Sequence, residues 1–316
     1  MHPHQQCAQR LPNHRTGRFL PQSCHTNTHN MISVDMVIPT RNRHACLQRS
    51  LPSLCKAAAA AQARIIICDQ SQEPFISPDI ETIHRPDLNG LPAARNVLLM
   101  QSRAEVVIFV DDDTDINPDF VVNVQQLAQR EPQVLAWGPV METRTPWVRR
   151  LHRLAQLGIF ADARRQTHRP NNKPTTLLFG CCFAVRRLEA LAVGFDARRP
   201  GYALGEDADF FHRLRNAHDG RWVSRFSDQL LAHHRRDGHD RVDAFTRGKA
   251  KGAFLYWWAR RHGGGNPLTC AHLGIALAAA SAGFGAEPAD WRGVWLGLTG
   301  SGHTITPSKS KLENSR

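Results

Sequence analysis

The sequence predicts a doubly wound α/β fold on a mostly parallel sheet, with a basic helical extension at its C-terminal end. Three observations carry this. Residues 34–38, 65–68 and 106–110 are short apolar runs rich in β-branched side chains. Strands buried on both faces read this way, whereas half-exposed strands alternate. Stretches of helical length separate the runs, as parallel crossovers require. Each run leads into polar or acidic residues, at the strand ends where such sheets collect their ligands.

Taken in order, residues 1–30 hold five His, three Arg and no acid, with no helical or strand period. They read as a disordered leader, and Met31 is an alternative start. The first strand, at 34–38, meets Pro39-Thr40-Arg41-Asn42 and then a helix through Ala61. The second ends at Asp69. Gly90-Leu91-Pro92 opens a helix, with Pro near its first turn. The strand at 106–110 runs into Asp111-Asp112-Asp113. Asn117-Pro118 places an N-cap and a first-turn Pro before a helix reaching Arg130. The second half is less regular. Residues 145–169 are rich in Arg and His; Gly180 leads into an apolar run to Val185 and a short helix; Gly205-Glu206-Asp207-Ala208-Asp209 opens another. Beyond Val242 the chain is basic and aromatic, then rich in Ala and Gly, then polar.

The chain has 316 residues, of which 41% are hydrophobic and 22% charged, a composition that excludes wholesale disorder. No apolar run reaches the roughly 18 residues of a membrane-spanning helix. The net charge of +12 points to an anionic partner: nucleic acid, a lipid surface or a phosphorylated ligand. Aromatic content of 7% and the lack of any recognition-helix or RNA-binding motif set nucleic acid aside. Eight cysteines form no C-x-x-C pair, which argues against structural zinc. Cys68, Cys181 and Cys182 read as buried thiols, and a cytoplasmic location follows. Arg247, Lys249 and Lys251, with the aromatics of 254–258, fit two readings. One is a helix packed on the core, the other a helix at the inner face of a membrane.

Three adjacent carboxylates after a buried strand repel one another and lose hydration unless a cation compensates. Alternation would send Asp111 and Asp113 to one side, where Mg²⁺ or Mn²⁺ suits the oxygen donors; a solvated acidic loop is the alternative. Asp207 is the candidate general base at the next acidic cluster, with Glu206 and Asp209 placed for capping the helix. His233 and His234 would point to opposite faces of a strand, so one of them can join the metal. Arg95, with Asn96 beside it, can pair with a diphosphate or hold a neighbouring carboxylate.

Together Val37-Ile38-Pro39-Thr40-Arg41-Asn42-Arg43, Ile67-Cys68-Asp69-Gln70-Ser71, Gly90…Ala94-Arg95-Asn96, Phe109-Val110-Asp111-Asp112-Asp113, Gly180…Phe183…Arg186-Arg187, Gly194-Phe195-Asp196 and Gly205-Glu206-Asp207…Asp209 resemble the family 2 glycosyltransferases over roughly residues 33–240. The resemblance implies a GT-A fold, with a nucleotide-sugar half at 31–135, an acceptor and base half at 136–240, and an extension at 241–316. It implies that Pro39, Thr40 and Arg41 line the nucleotide pocket and that Asp69 contacts the base. Arg95, Asn96, Asp111 and Asp112 join the donor-binding set. Asp113, Asp111 and His233 or His234 would hold Mn²⁺ or Mg²⁺, and the Glu206-Asp207 motif would supply the base for inverting transfer. The implied partners are a nucleoside-diphosphate sugar and a glycan or lipid-linked acceptor, met by the segment at 145–174. Asp69-Gln70-Ser71 departs from the second Asp and Gly common in the family, which leaves donor-base selectivity open. No Gln-x-x-Arg-Trp motif occurs, so single addition is expected rather than polymerisation. A nucleotidyltransferase or a non-catalytic binder of the same fold are the rival readings.

Overall fold

Strands β1 (Val34–Thr40) and β4 (Val106–Val110) are buried along their whole length. Alternation divides their side chains between two cores. Val34, Met36 and Ile38 join Val106, Ile108 and Val110 on one face of the sheet; Val37 joins Val107 and Phe109 on the other. Helices α1 (His44–Ala60) and α3 (Phe120–Arg130) cover the first face. Helices α2 (Leu91–Gln101), α4 (Arg187–Val193) and α5 (Glu206–Asn216) cover the second. Cover on both sides is why the runs are continuous. The computed structural model describes residues 31–141, 174–175, 178–198, 201, 203–221, 223–235, 243–258, 261–262 and 290–299. The expected leader at 1–30 and the acceptor-facing segment at 145–169 lie outside the described residues.

The strand order is β3 (Glu81–His84), β2 (Arg64–Asp69), β1, β4, β8 (Cys182–Arg186), β6 (Ala136–Met141), β9 (Ser224–His234) and β5 (Thr114–Ile116), with β7 (Pro174–Thr175) on β9. From β3 to β4 all pairings are parallel. Antiparallel β8 then enters with Cys182 opposite Val110, and β9 runs parallel to β6. This switch brings the ends of β1, β2, β4 and β9 and the start of β8 to one edge. At the other end of β1 the core encloses the charge of Asp35. Its burial opposes ionisation, but Arg64 (2.7 and 3.0 Å), the Ser102 hydroxyl and the Arg103 amide outweigh that and hold its carboxyl below the ordinary range.

Two local expectations change. Asn117 does not cap α3, which begins at Phe120 after Asp119. The Asn117 amide donates to the Leu231 carbonyl (3.2 Å), so its backbone is still tied to β9, beyond the end of β5. Asp111–Asp113 is a turn closed by the Thr114 amide on the Asp111 carbonyl (3.1 Å), not extended strand.

In the extension, α6 (Ala244–Trp258) and α7 (Trp291–Leu298) meet backbone to backbone. A Cβ at Gly252 would lie 2.0 Å from the Val294 carbonyl oxygen, and one at Gly293 would lie 2.2 Å from that of Phe245. Phe254, Leu255 and Trp258 bury against Ala208 of α5, which fixes the core-packed reading for these side chains. Helix propensity alone would make Gly252→Ala stabilising by about 0.5–1 kcal/mol. The close approach reverses the sign: denaturant unfolding should show a loss of about 1–3 kcal/mol, and a gain would show that the helices do not meet there.

Candidate functional site

Asp111, Asp113 and His234 each offer one ligand atom, all within 4.8 Å of one another. The backbone sets this. The Asp111 amide donates to the Cys181 carbonyl at the mouth of β8 (2.8 Å), and the Arg235 amide donates to the Asp113 carbonyl (2.9 Å). Register then pairs Thr114 with His234. His234 Nε2 lies 2.9 Å from Asp113 Oδ1. His233 pairs in register with Asp115, and alternation turns its ring to the opposite face, so it is not part of the group. Two carboxylates and one imidazole form a donor set that fits a hard divalent cation completed by further oxygens. Burial pushes the Asp111 carboxyl up, against the pull of Arg95. At Asp113 burial is outweighed by His234 and Arg43, so its carboxyl lies well below the ordinary range.

Asp112 faces inward. It accepts from the Thr40 hydroxyl (2.8 Å) and from Arg43 (2.9 Å), while its carbonyl accepts from Ser50 (2.7 Å). Burial raises its carboxyl to about 7 despite Arg43. Arg43 also reaches Asp113 Oδ2 (2.9 Å) and so ties two acids together. Thr40 and Asp112 thus frame the turn that carries Asp111 and Asp113. Pro39 is buried in β1 opposite Cys68, and Arg41 is exposed at the strand's end.

Asp69 has no exposed surface. One oxygen accepts from the Ser71 amide (2.9 Å), the other from the Phe75 amide (2.6 Å), and His44 Nε2 lies 3.0 Å away. Burial opposes ionisation, and these partners outweigh it. The carboxylate closes the 69–75 turn beside the end of β1.

Arg95 is 1% exposed. Its guanidinium donates to Glu206, to the Gly180 carbonyl (2.6 Å) and to Asp111 (3.3 Å). It also lies 5.5–5.7 Å from the ring centres of Phe109, Phe183 and Phe195. Of the two readings open for Arg95, the held carboxylate is the one its contacts with Glu206 and Asp111 show. The Asn96 side chain holds the Phe195 backbone (2.8 and 2.9 Å). Glu206 does not cap α5; burial raises its carboxyl and Arg95 opposes the rise. Asp209 likewise pairs with Arg213 (2.8 Å) and His262 (2.9 Å) instead of capping.

Asp207 is half-buried, unlike the enclosed Glu206 and Asp209. Its carboxylate accepts from the Gly180 amide (3.0 Å) and from the Ala208 amide (2.9 Å). A Cβ at residue 180 would sit 3.0 Å from the Asp207 oxygen, so glycine lets the chain pass this close. Residues 180 and 181 thus touch Asp207, Arg95 and Asp111 in succession.

Sequence reasoning gave no role to Arg43, Arg235 or Gly180. Arg235 reaches Asp115 (2.6 Å) and the Ser50 hydroxyl (2.8 Å), joining the end of β9 to α1. The available signal was a charge count, since buried aspartates need cations, but naming them requires the topology. Arg95→Met should destabilise the fold by about 3–5 kcal/mol in denaturant unfolding, because it strands Glu206 and Asp111. Adding Glu206→Gln should recover part of that loss; strictly additive losses would mean the two do not form a pair.

No curated protein matches the chain. Among solved structures, GalNAc-T7 with UDP, GalNAc and Mn²⁺ is 13% identical with a TM-score of 0.48, over 65% of this chain and 44% of that one. This chain therefore spans less than half of that protein. The mannosyltransferase PcManGT from Pyrobaculum calidifontis, in complex with GDP-Man and Mn²⁺, is 16% identical with a TM-score of 0.54, over 86% of this chain and 80% of that one. That likeness is one of fold. The profile of glycosyl transferase family 2 matches residues 35–194, from β1 to the glycine after α4, and with just over half of the chain so matched this protein belongs to that family.

Proposed function

We propose that this chain transfers a sugar from a nucleoside-diphosphate sugar to an acceptor hydroxyl, with inversion and one sugar per acceptor. One observation carries the reading. The Asp111–Asp113–His234 group and the Asp207 carboxylate flank a single peptide stretch, Gly180-Cys181, through hydrogen bonds at either side. A donor held over that stretch would have its diphosphate toward the first group and an incoming hydroxyl toward the second. The fold neighbour PcManGT, solved with GDP-Man and Mn²⁺, supports a nucleoside-diphosphate sugar as donor and a divalent cation, Mn²⁺ or Mg²⁺, beside it.

Asp111, Asp113 and His234 would hold the cation. When bound, it neutralises charge on the departing diphosphate. Asp207 accepts the proton of the acceptor hydroxyl as that oxygen bonds the anomeric carbon and the bond to the diphosphate breaks. The anomeric centre passes through oxocarbenium character, and one displacement inverts it. The Gly180 and Ala208 amides aim the carboxylate, and Arg95 holds Gly180 by its carbonyl. Acceptor contacts from the segment at 145–174, a glycan or lipid-linked acceptor and a cytoplasmic location belong to the same reading. Single addition rests on the missing Gln-x-x-Arg-Trp motif.

Two measurements test it. A thermal-shift panel of nucleoside diphosphates should raise the melting temperature only with Mn²⁺ present, and Asp113→Asn should abolish the shift; no shift with any nucleotide would sink the assignment. On the correct substrate pair, Asp207→Asn should lower kcat by about 10²–10⁴-fold with nucleoside-diphosphate affinity retained. Undiminished turnover would remove Asp207 as the base.

A further inference from the structure

Helix α7 presents a face that its packing does not use. Gly293, Val294 and Gly297 are buried, while Trp291 and Trp295, one turn apart, are 59% and 61% exposed. Arg292 lies beside them, its guanidinium 5.7 Å from the Trp291 ring centre. Next to α7, Phe245 at the start of α6 is 42% exposed, at the point where its backbone receives Gly293. Within the two helices every charged side chain is positive: Arg247, Lys249, Lys251 and Arg292. Asp243 and Asp290 sit just before the two helix starts, where Asp290 caps α7.

We infer that α7 and the first turn of α6 form a docking face for an anionic lipid bilayer. Trp291, Trp295 and Phe245 enter the headgroup layer and the cations meet lipid phosphates. Indole suits that layer because its body is apolar and its N–H still finds a partner. Helix α7 has 8 residues, and no helix among the described residues is long and apolar enough to cross a membrane, so the contact lies along the surface. Charges of one sign add attraction to acidic headgroups, and a neutral glycan would have no use for them. The glycine contacts seat α7 on α6 beforehand, so docking need not order it. Through Phe254, whose ring fills the space at Gly205, the same pair supports the turn that precedes Asp207. The docking argument stands on these side chains and does not need the transferase reading.

Sedimentation of the full chain with vesicles tests it, comparing equimolar phosphatidylglycerol and phosphatidylcholine with phosphatidylcholine alone. The chain should pellet with the acidic vesicles, more weakly as salt is added, and poorly with the neutral ones. Trp291→Ala/Trp295→Ala should weaken binding by about tenfold or more, and Arg292→Glu, which keeps both indoles, by several-fold. Both variants should melt like the parent chain, since the altered side chains are exposed. Equal binding to both vesicle types, undiminished binding of the double variant, or no binding at all would overturn the proposal. So would a lipid-free dimer that the double variant dissolves, which would assign the face to a second copy of the chain.

Discussion

One buried guanidinium holds the acidic edge of this sheet together. Arg95 lies under the end of β4, the entry to β8 and the start of α5, and it donates to an acceptor from each. Lysine would not do the same work, because a planar fork serves several acceptors at once whereas an ammonium is a point charge. Remove that cation and the carboxylates around it face a desolvation cost of several kcal/mol each. Arg43 plays the same part for Asp112 and Asp113. The two arginines thus hold Asp111, Asp112, Asp113 and Glu206, and leave Asp207 as the half-buried carboxylate that neither of them touches.

The direction of the sheet explains why these groups meet. Had every strand after β4 been parallel, the start of β8 would lie at the far edge from the end of β4. Antiparallel entry instead puts Cys182 opposite Val110, so the Gly180-Cys181 peptides stand beside the Asp111 turn. Parallel pairing of β6 with β9 returns His234 to that same edge. The glycine at 180 then allows α5 to approach with its first-turn carboxylate.

The strands were legible because burial on both faces leaves a run of β-branched residues that little else produces. The acids that matter were legible too, as clusters at strand and helix ends. Their partners were not. Arg95 has acceptors 85 and 111 residues away, so local reading left its two roles open. Asp69 reads as an exposed strand-end acid until the Ser71 and Phe75 amides are seen to close over it. His233 and His234 cannot be told apart without the register against β5. In the extension, the aromatics at 254–258 drew attention by sequence, yet Phe254, Leu255 and Trp258 are core, and the exposed indoles lie on α7.

The most direct test is anomalous scattering from crystals grown with Mn²⁺ and a nucleoside diphosphate. A single strong peak bonded to Asp111, Asp113 and His234, with the diphosphate on its open side and Asp207 uncoordinated, is the predicted result. A peak coordinated by Asp207, or a bound nucleotide with no metal at the Asp111 turn, would contradict the division of labour between the two acidic clusters.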